Sequence, residues 1–104
     1  MKKELETVYK RAVDVWGVDK QIDMAIEEMS ELTKALLKVR RSVNKDANTQ
    51  TETNNNVCEE IADVENMINQ MRYIFNSETI DKYKEDKLER TLEKIIKSEN
   101  GKRN

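Results

Sequence analysis

The sequence contains no histidine and no proline, and it has a single cysteine and two glycines. Without histidine, the chain cannot form a Ser-His-Asp triad or a histidine-containing zinc site. The lone Cys58 excludes an internal disulfide and a cysteine-cluster metal site, and it favours a reducing compartment. Because proline is absent, glycine is scarce and aromatic residues make up only 5%, the composition favours long helices over strands.

Long hydrophobic runs are also missing, so the sequence offers no segment that could span a bilayer. Two lysines follow Met1, but the apolar stretch that a signal peptide needs behind them is missing. Lys and Arg number 19 and Asp and Glu number 21, a balance that argues against a nucleic-acid-binding domain. We therefore expect a soluble, cytoplasmic protein with neither a nucleic acid nor a membrane as its partner.

The length and the apolar content indicate one small domain with a thin core. The chain has 104 residues, of which 37% are hydrophobic, and a lone domain of this kind is only marginally stable. We expect residues 1–104 to form a single domain. We also expect identical chains to associate, as a homodimer or a dimer of dimers.

The spacing of apolar residues predicts four helices and an all-α fold. The first helix ends at Gly17, and Asp19 is the predicted N-cap of the second. The predicted helices cover residues 5–16, 20–41 and 57–75, and a fourth follows the turn at Asn76 and Ser77. A polar loop is expected over 42–56 and a frayed tail over 98–104. The expected protomer resembles a four-helix bundle that is completed by oligomerisation.

Acidic motifs occur on the second and third predicted helices. They read Glu27-Glu28-Met29-Ser30-Glu31 and Glu59-Glu60-Ile61-Ala62-Asp63. At about 100° per residue, Glu28 and Glu60 fall inside the apolar arcs of their helices, and Glu31 and Asp63 lie at the edges. Taken alone, such motifs are typical of a solvated helix face. The positions of Glu28 and Glu60 instead indicate carboxylates turned towards a neighbouring helix.

A carboxylate in a buried stripe needs a partner. Burying an unpaired ionised carboxylate costs several kcal/mol, so such a group is paired, protonated or bound to a metal. If the two helices face each other, Glu28, Glu31, Glu60 and Asp63 form a cluster of like charges that a divalent cation would neutralise. Oxygen ligands without histidine or cysteine favour Mg²⁺, with Mn²⁺ as the alternative.

These motifs resemble those of the MazG-like superfamily of all-α nucleoside triphosphate pyrophosphohydrolases, which includes the dimeric dUTPases. The family signature is Glu-Glu-x-x-Glu on one helix and Glu-x-x-Asp on the next, as in Glu27–Glu31 and Glu60–Asp63. The upstream Trp16-Gly17 and Gln21 also resemble small stand-alone members, including phage-borne ones. The resemblance covers about residues 5 to 76.

The resemblance implies hydrolysis of a (deoxy)nucleoside triphosphate to the monophosphate and pyrophosphate. The residues that match the family's Mg²⁺ ligands are Glu28, Glu31, Glu60 and Asp63. Glu27 matches the first motif position, where a role in orienting the attacking water is implied, so the predicted catalytic residues are Glu27, Glu28 and Glu31.

Further polar residues are candidates for substrate binding because of their positions on the helices. Asn66 and Gln70 follow Asp63 on the same side of the third helix, and Gln21 lies on the stripe of Glu28. Lys34 and Lys38 lie on the same helix face as Glu31, from which they could reach the phosphates of a substrate. Trp16 could stack on a base or act as a core anchor.

Two other functions remain open at the level of sequence. The chain could be a helical interaction module without catalysis, in which the acidic residues set the choice of partner. It could also be a degenerate family member that binds nucleotides without hydrolysing them. Neither the preferred base nor the oligomer size follows from the sequence.

Overall fold

The computed structural model describes residues 2–103 and confirms the all-α prediction. Its helices are α1 (Lys3–Trp16), α2 (Val18–Arg41), α3 (Ala47–Ile74) and α4 (Ser77–Arg103). No strand occurs within these described residues. None of the four helices in this range is both long enough and apolar enough to cross a membrane.

A single glycine separates α1 from α2. Gly17 has φ 94° and ψ 154°, a backbone conformation that is almost exclusive to glycine. Its backbone N–H donates to the carbonyl oxygen of Val13 at 2.9 Å and so closes the last turn of α1. The prediction that Asp19 is the N-cap of the second helix is wrong: Gly17 occupies the N-cap position, and no side chain caps α2.

The second and third helices form an antiparallel hairpin. Near its closed end, the hydroxyl groups of Ser42 and Thr53 lie 3.2 Å apart. Towards its open end, Gln21 Nε2 donates to Gln70 Oε1 at 2.6 Å. Since residues earlier in α2 face residues later in α3, the two helices run in opposite directions, as predicted.

The first helix packs on this hairpin, mainly against α3. Ala12 of α1 is buried, and Tyr9 donates its phenolic hydroxyl to Asn66 Oδ1 at 2.9 Å. The buried apolar residues of the described chain are small or flexible: Ala12, Ala25, Ala35 and Met67. The expectation of a thin core therefore agrees with the structure.

The predicted polar loop over 42–56 is wrong, because α3 begins at Ala47 and only residues 42–46 connect the two helices. Asp46 caps α3 by accepting from the backbone N–H of Thr49 at 2.9 Å. Gln50 then donates to the carbonyl oxygens of Val43 and Lys45 and fastens the connection to the new helix. Capping and packing against the end of α2 therefore override the weak helix propensity of a segment rich in Asn and Thr.

The fourth helix extends away from the other three. Its start is fixed by Arg72, which donates to Ser77 Oγ and to Asp81 Oδ1, each at 2.9 Å. Beyond Ile80, every described side chain of α4 is exposed. The radius of gyration is 18.1 Å, against about 13 Å for a compact domain of this length. The predicted four-helix bundle is thus not confirmed within one chain.

The predicted fraying over 98–104 is also wrong for the described part of that segment. Helix α4 continues to Arg103, and Asn104 lies outside the described residues. Gly101 does not end the helix, because a single glycine costs only about 1 kcal/mol relative to alanine. The surrounding lysine and glutamate residues are good helix formers and allow the helix to continue through it.

Candidate metal and substrate site

Three carboxylates from two helices meet at the centre of the α2–α3 hairpin. Glu28 comes from α2, and Glu60 and Asp63 come from α3, one helical turn apart. One carboxylate oxygen from each residue lies within 4.8 Å of the others. We call this group the carboxylate triad. The sequence predicted that these residues face each other, and the structure brings them together.

The triad is partly shielded from water. All three residues are half-buried, and Glu60 Oε2 is inaccessible to solvent and accepts no hydrogen bond from the described residues. Desolvation, followed by the negative charge of Asp63, raises the pKa of Glu60 above its ordinary value. The pKa of Glu28 is raised by desolvation and then by the charges of Asp63 and Glu60. Like charges are therefore held together at an energetic cost.

Glu31 and Glu27 lie near the triad but outside it. Glu31 is half-buried, and its Oε1 lies 3.4 Å from the Lys34 Nζ. The negative charge of Glu31 nevertheless contributes to the raised pKa of both Glu28 and Glu60. Glu27 is exposed, and its charge also raises the pKa of Glu28. Of the four predicted metal ligands, three are therefore grouped and Glu31 stands beside them.

A pair of buried amide side chains lies on the same helix faces as the triad, nearer the open end of the hairpin. Gln21 is 3% exposed and Gln70 is 8% exposed. Gln21 Nε2 donates to Gln70 Oε1, whereas Gln21 Oε1 is buried without a partner in the described chain. Gln21 is thus a residue that orients Gln70, and direct contact between Gln21 and a substrate stays a prediction.

An open groove lies between Gln70 of this pair and α1. It has a volume of about 390 Å³, and its lining residues are Leu5, Val8, Tyr9, Asn66 and Gln70. Asn66 and Gln70 follow Asp63 by three and seven positions, so they lie about 4.5 and 10.5 Å from it along the axis of α3. The groove therefore combines apolar walls with two amides, the nearer of which follows Asp63 by one helical turn.

The remaining predicted substrate residues lie elsewhere on the surface. Trp16 is 57% exposed and therefore is not a core anchor; the Lys20 Nζ lies 5.9 Å from the centroid of its ring. Lys34 is exposed and paired with Glu31, and Lys38 is exposed one turn further along α2. The structure does not bring these three residues into the groove or the triad.

Sequence reasoning missed Tyr9 as part of this site. The phenolic hydroxyl of Tyr9 orients Asn66, and its ring forms one wall of the groove. In the sequence, Tyr9 is one of several apolar residues on the inner face of the first helix. Its contact spans 57 positions of the chain, and no local pattern of the sequence indicates a contact over that separation.

Comparison with known proteins identifies no relative. No family model, no curated protein and no solved structure matches this chain. The triad, the groove and the chemistry of their side chains are therefore the features that indicate a function.

Proposed function

We propose that this protein is a Mg²⁺-dependent pyrophosphohydrolase that converts a (deoxy)nucleoside triphosphate into the monophosphate and pyrophosphate. The observation that carries the proposal is the carboxylate triad, in which Glu28, Glu60 and Asp63 bring oxygens from two helices within 4.8 Å of one another. A role in clearing unwanted nucleotides from the cytoplasmic pool is part of this proposal.

The donor set fits Mg²⁺. Magnesium takes six oxygen ligands at about 2.1 Å, so two ligands on opposite sides of the ion are about 4.2 Å apart. The oxygens of the triad lie within 4.8 Å, and small side-chain rotations would close the difference. The solvent-inaccessible Glu60 Oε2, which lacks a hydrogen-bond donor, is an acceptor that a cation would satisfy. Mn²⁺ has similar preferences and is the alternative ion.

When bound, Mg²⁺ would neutralise charge on the phosphoryl oxygens and lower the pKa of a bound water. The side chains beside the triad provide positioning. Glu27, which is exposed and adjacent to Glu28, would orient the attacking water, and Glu31 adds negative charge that favours cation binding. Lys34 can exchange its exposed contact with Glu31 for a phosphate oxygen, and Lys38 lies one turn beyond.

The nucleoside would occupy the groove between α1 and α3. With the phosphates at the triad, a base and sugar extending along α3 reach Asn66 and then Gln70, whose amides can donate and accept hydrogen bonds. Tyr9 and Gln21 act through these amides, because they hydrogen-bond to Asn66 and Gln70, respectively. Trp16 supplies an exposed ring for stacking if the substrate or a second chain brings a base to it.

A second candidate function is supported by the fourth helix. Its apolar side chains Leu88, Leu92, Ile95 and Ile96 are all exposed, as expected for a helical interaction module. A nucleotide-binding protein without catalysis would have the same fold. Both alternatives lack pyrophosphate release, so an activity assay separates them from the proposed hydrolase.

The proposal is tested with a panel of ribo- and deoxynucleoside triphosphates in the presence of Mg²⁺, in which pyrophosphate and phosphate are measured separately. We expect pyrophosphate, and not phosphate, from at least one substrate. Glu60→Gln keeps the shape of the side chain and removes one ligand charge, and it should lower the rate by about 100-fold or more.

The matched control for this variant is Glu65→Gln. Glu65 is exposed on the same helix and lies outside the triad, so its substitution makes the same change of charge and should leave the rate unchanged. Equal loss of activity in the two variants, or no pyrophosphate from any nucleotide, would refute the proposed function.

A further inference from the structure

The face of α2 that points away from α3 and α1 carries a row of exposed aliphatic residues. Ile26 is 55% exposed, Met29 44%, Leu36 48% and Leu37 49%, and Ile22 is half-buried at the start of the row. With Glu27 at 0° and about 100° per residue, all five lie between about 180° and 280°. The row spans about 22 Å along the helix. We call these five residues the aliphatic face.

Charge is unevenly distributed along the same helix. The first part of α2, up to Glu31, carries five acidic residues and a single base, Lys20: Asp19, Asp23, Glu27, Glu28 and Glu31. The charged residues of α2 after Glu31 are all basic: Lys34, Lys38, Arg40 and Arg41. A second α2 lying antiparallel would place the acidic part of each helix beside the basic part of the other.

Two charged residues lie on the aliphatic face itself, one at each end. On the same angular scale, Asp19 is near 280° and Arg40 near 220°. Both are exposed, and neither forms an ion pair with any residue in the described range. The midpoint between Asp19 and Arg40 in the sequence coincides with the midpoint between Ile22 and Leu37, next to Met29. A single two-fold axis through this midpoint therefore brings Ile22 opposite Leu37 of the other copy and Asp19 opposite its Arg40.

We infer that the aliphatic face of α2 binds the same face of a second copy of this chain, in an antiparallel, two-fold arrangement. Asp19 of each copy pairs with the partner's Arg40, and Met29 lies close to the axis. This interface gives the proposed homo-oligomer a surface, an orientation and a register. Its formation requires neither a metal nor catalysis and is independent of the proposed function.

This arrangement leaves the carboxylate triad accessible. Glu28 lies near 100° and Glu31 near 40° on α2, outside the arc of the aliphatic face. Other exposed apolar residues of the described chain lie on α1 (Leu5, Val8, Val15 and Trp16), on α3 (Ile61 and Ile68) and on α4 (Leu88, Leu92, Ile95 and Ile96). The row on α2 spans about 22 Å, against about 16 Å on α1 and about 12 Å on α4, and it has the opposite charges of Asp19 and Arg40 at its two ends.

The test is sedimentation equilibrium of the full chain over micromolar concentrations. The wild type is expected to form a dimer. Met29→Glu places two carboxylates near the axis and should raise the dissociation constant by about 100-fold or more. Leu92→Glu, at a comparably exposed apolar position on α4, is the matched control and should leave the dimer intact. Because both side chains are exposed, both variants should keep the helical circular dichroism of the wild type.

Charge reversal tests the orientation and the register. Asp19→Arg and Arg40→Asp should each raise the dissociation constant of the dimer by about tenfold, because the two-fold symmetry makes the pair of Asp19 and Arg40 occur twice in the interface. The double variant restores opposite charges across the axis and should recover most of the affinity. A parallel pairing would place Asp19 against Asp19 and would give no recovery.

Three outcomes would overturn the inference. A wild type that stays monomeric at high micromolar concentration excludes any dimer. A dimer that survives Met29→Glu places the interface outside the aliphatic face, and its dissociation on Leu92→Glu would assign the interface to α4. A double charge reversal no better than the single variants excludes the antiparallel register.

Discussion

At the scale of single residues, Glu28 is a carboxylate of the triad whose ionisation is opposed by its surroundings. Desolvation and the neighbouring carboxylates raise its pKa above the ordinary value of 4.5. The folded, metal-free protein therefore holds this proton more tightly than the unfolded chain does. Stability falls as the pH rises from 4.5 through the raised pKa, and the full penalty is present above it.

Glu28→Gln should remove this penalty. In the absence of metal, we expect the variant to melt on the order of a few degrees higher than the wild type at pH 7. The difference should shrink as the pH falls and vanish below pH 4.5, where Glu28 is protonated in both states. Millimolar Mg²⁺ should stabilise the wild type more than the variant, because the variant lacks one ligand charge.

Thermal melts by circular dichroism measure both effects, and Glu65→Gln again serves as the control for an exposed charge on α3. If the wild type ignores Mg²⁺ and Glu28→Gln melts lower at pH 7, then Glu28 is a structural carboxylate and the metal proposal fails.

Gly17 provides a second test at the residue scale. Nothing lies within 4 Å of a Cβ built at this position, so only the backbone conformation, with φ +94°, opposes a larger residue. Gly17→Ala should therefore destabilise the protein by about 1–3 kcal/mol.

Gly101→Ala is the matched control. A Cβ built at Gly101 also has no neighbour within 4 Å. Gly101 lies inside α4, where alanine favours the helix by about 0.5–1 kcal/mol relative to glycine. Urea denaturation should show a loss of stability for Gly17→Ala and no loss for Gly101→Ala, because the described side chains of α4 beyond Ile80 are exposed and do not pack on the rest of the protein. Equal effects would mean that Gly17 is not held in its unusual conformation.

At the scale of the secondary-structure elements, the first turns of α3 depend on Asp46. Hydrogen bonds from the backbone N–H and hydroxyl of Thr49 lower the pKa of the Asp46 carboxyl below its ordinary value of 3.8. Its stabilising contribution is therefore present above pH 3.8 and is lost as the pH falls through the lowered pKa.

Asp46→Ala should lower the melting temperature by a few degrees at pH 7 and should increase amide hydrogen exchange in the first turns of α3. Asn48→Ala, at an exposed neighbouring position that caps nothing with its side chain, should leave exchange unchanged. If the amides at the start of α3 were as protected from exchange in Asp46→Ala as in the wild type, packing alone, and not the cap, would stabilise this part of the helix.

The same segment shows where sequence reasoning reaches its limit. The periodic apolar residues of α1, α2 and the later part of α3 predict helices because a helix repeats its own face locally. Residues 47–56 lack that pattern, and their helix depends on contacts such as Ser42 with Thr53, which connect two elements. The triad was predictable because carboxylates occur among, or at the edge of, the apolar positions of α2 and α3. The contact between Tyr9 and Asn66 produces no comparable pattern in the sequence.

At the scale of the whole molecule, α1, α2 and α3 form a body from which α4 projects. Described side chains beyond Ile80 are exposed, and Arg72 attaches only the first turns of α4, through Ser77 and Asp81. The stability of the body should therefore depend little on most of this helix.

Deleting residues 84–104 should shift the melting temperature of the body by only about 2 °C, and its response to Mg²⁺ should persist. As a contrast, deleting residues 3–16 removes the buried Ala12 and the bond between Tyr9 and Asn66, and should abolish cooperative melting. Unfolding of the chain that lacks 84–104 would show that α4 is an integral part of the body.

The short connection over residues 42–46 also sets the order in which the chain acquires its structure. Because it brings Ser42 and Thr53 together over a small loop, closure there costs the least chain entropy. We expect the hairpin to close from this end towards Gln21 and Gln70, and α1 to dock afterwards. The acidic residues then come together midway through folding, so a divalent cation should accelerate folding as well as stabilise the folded protein.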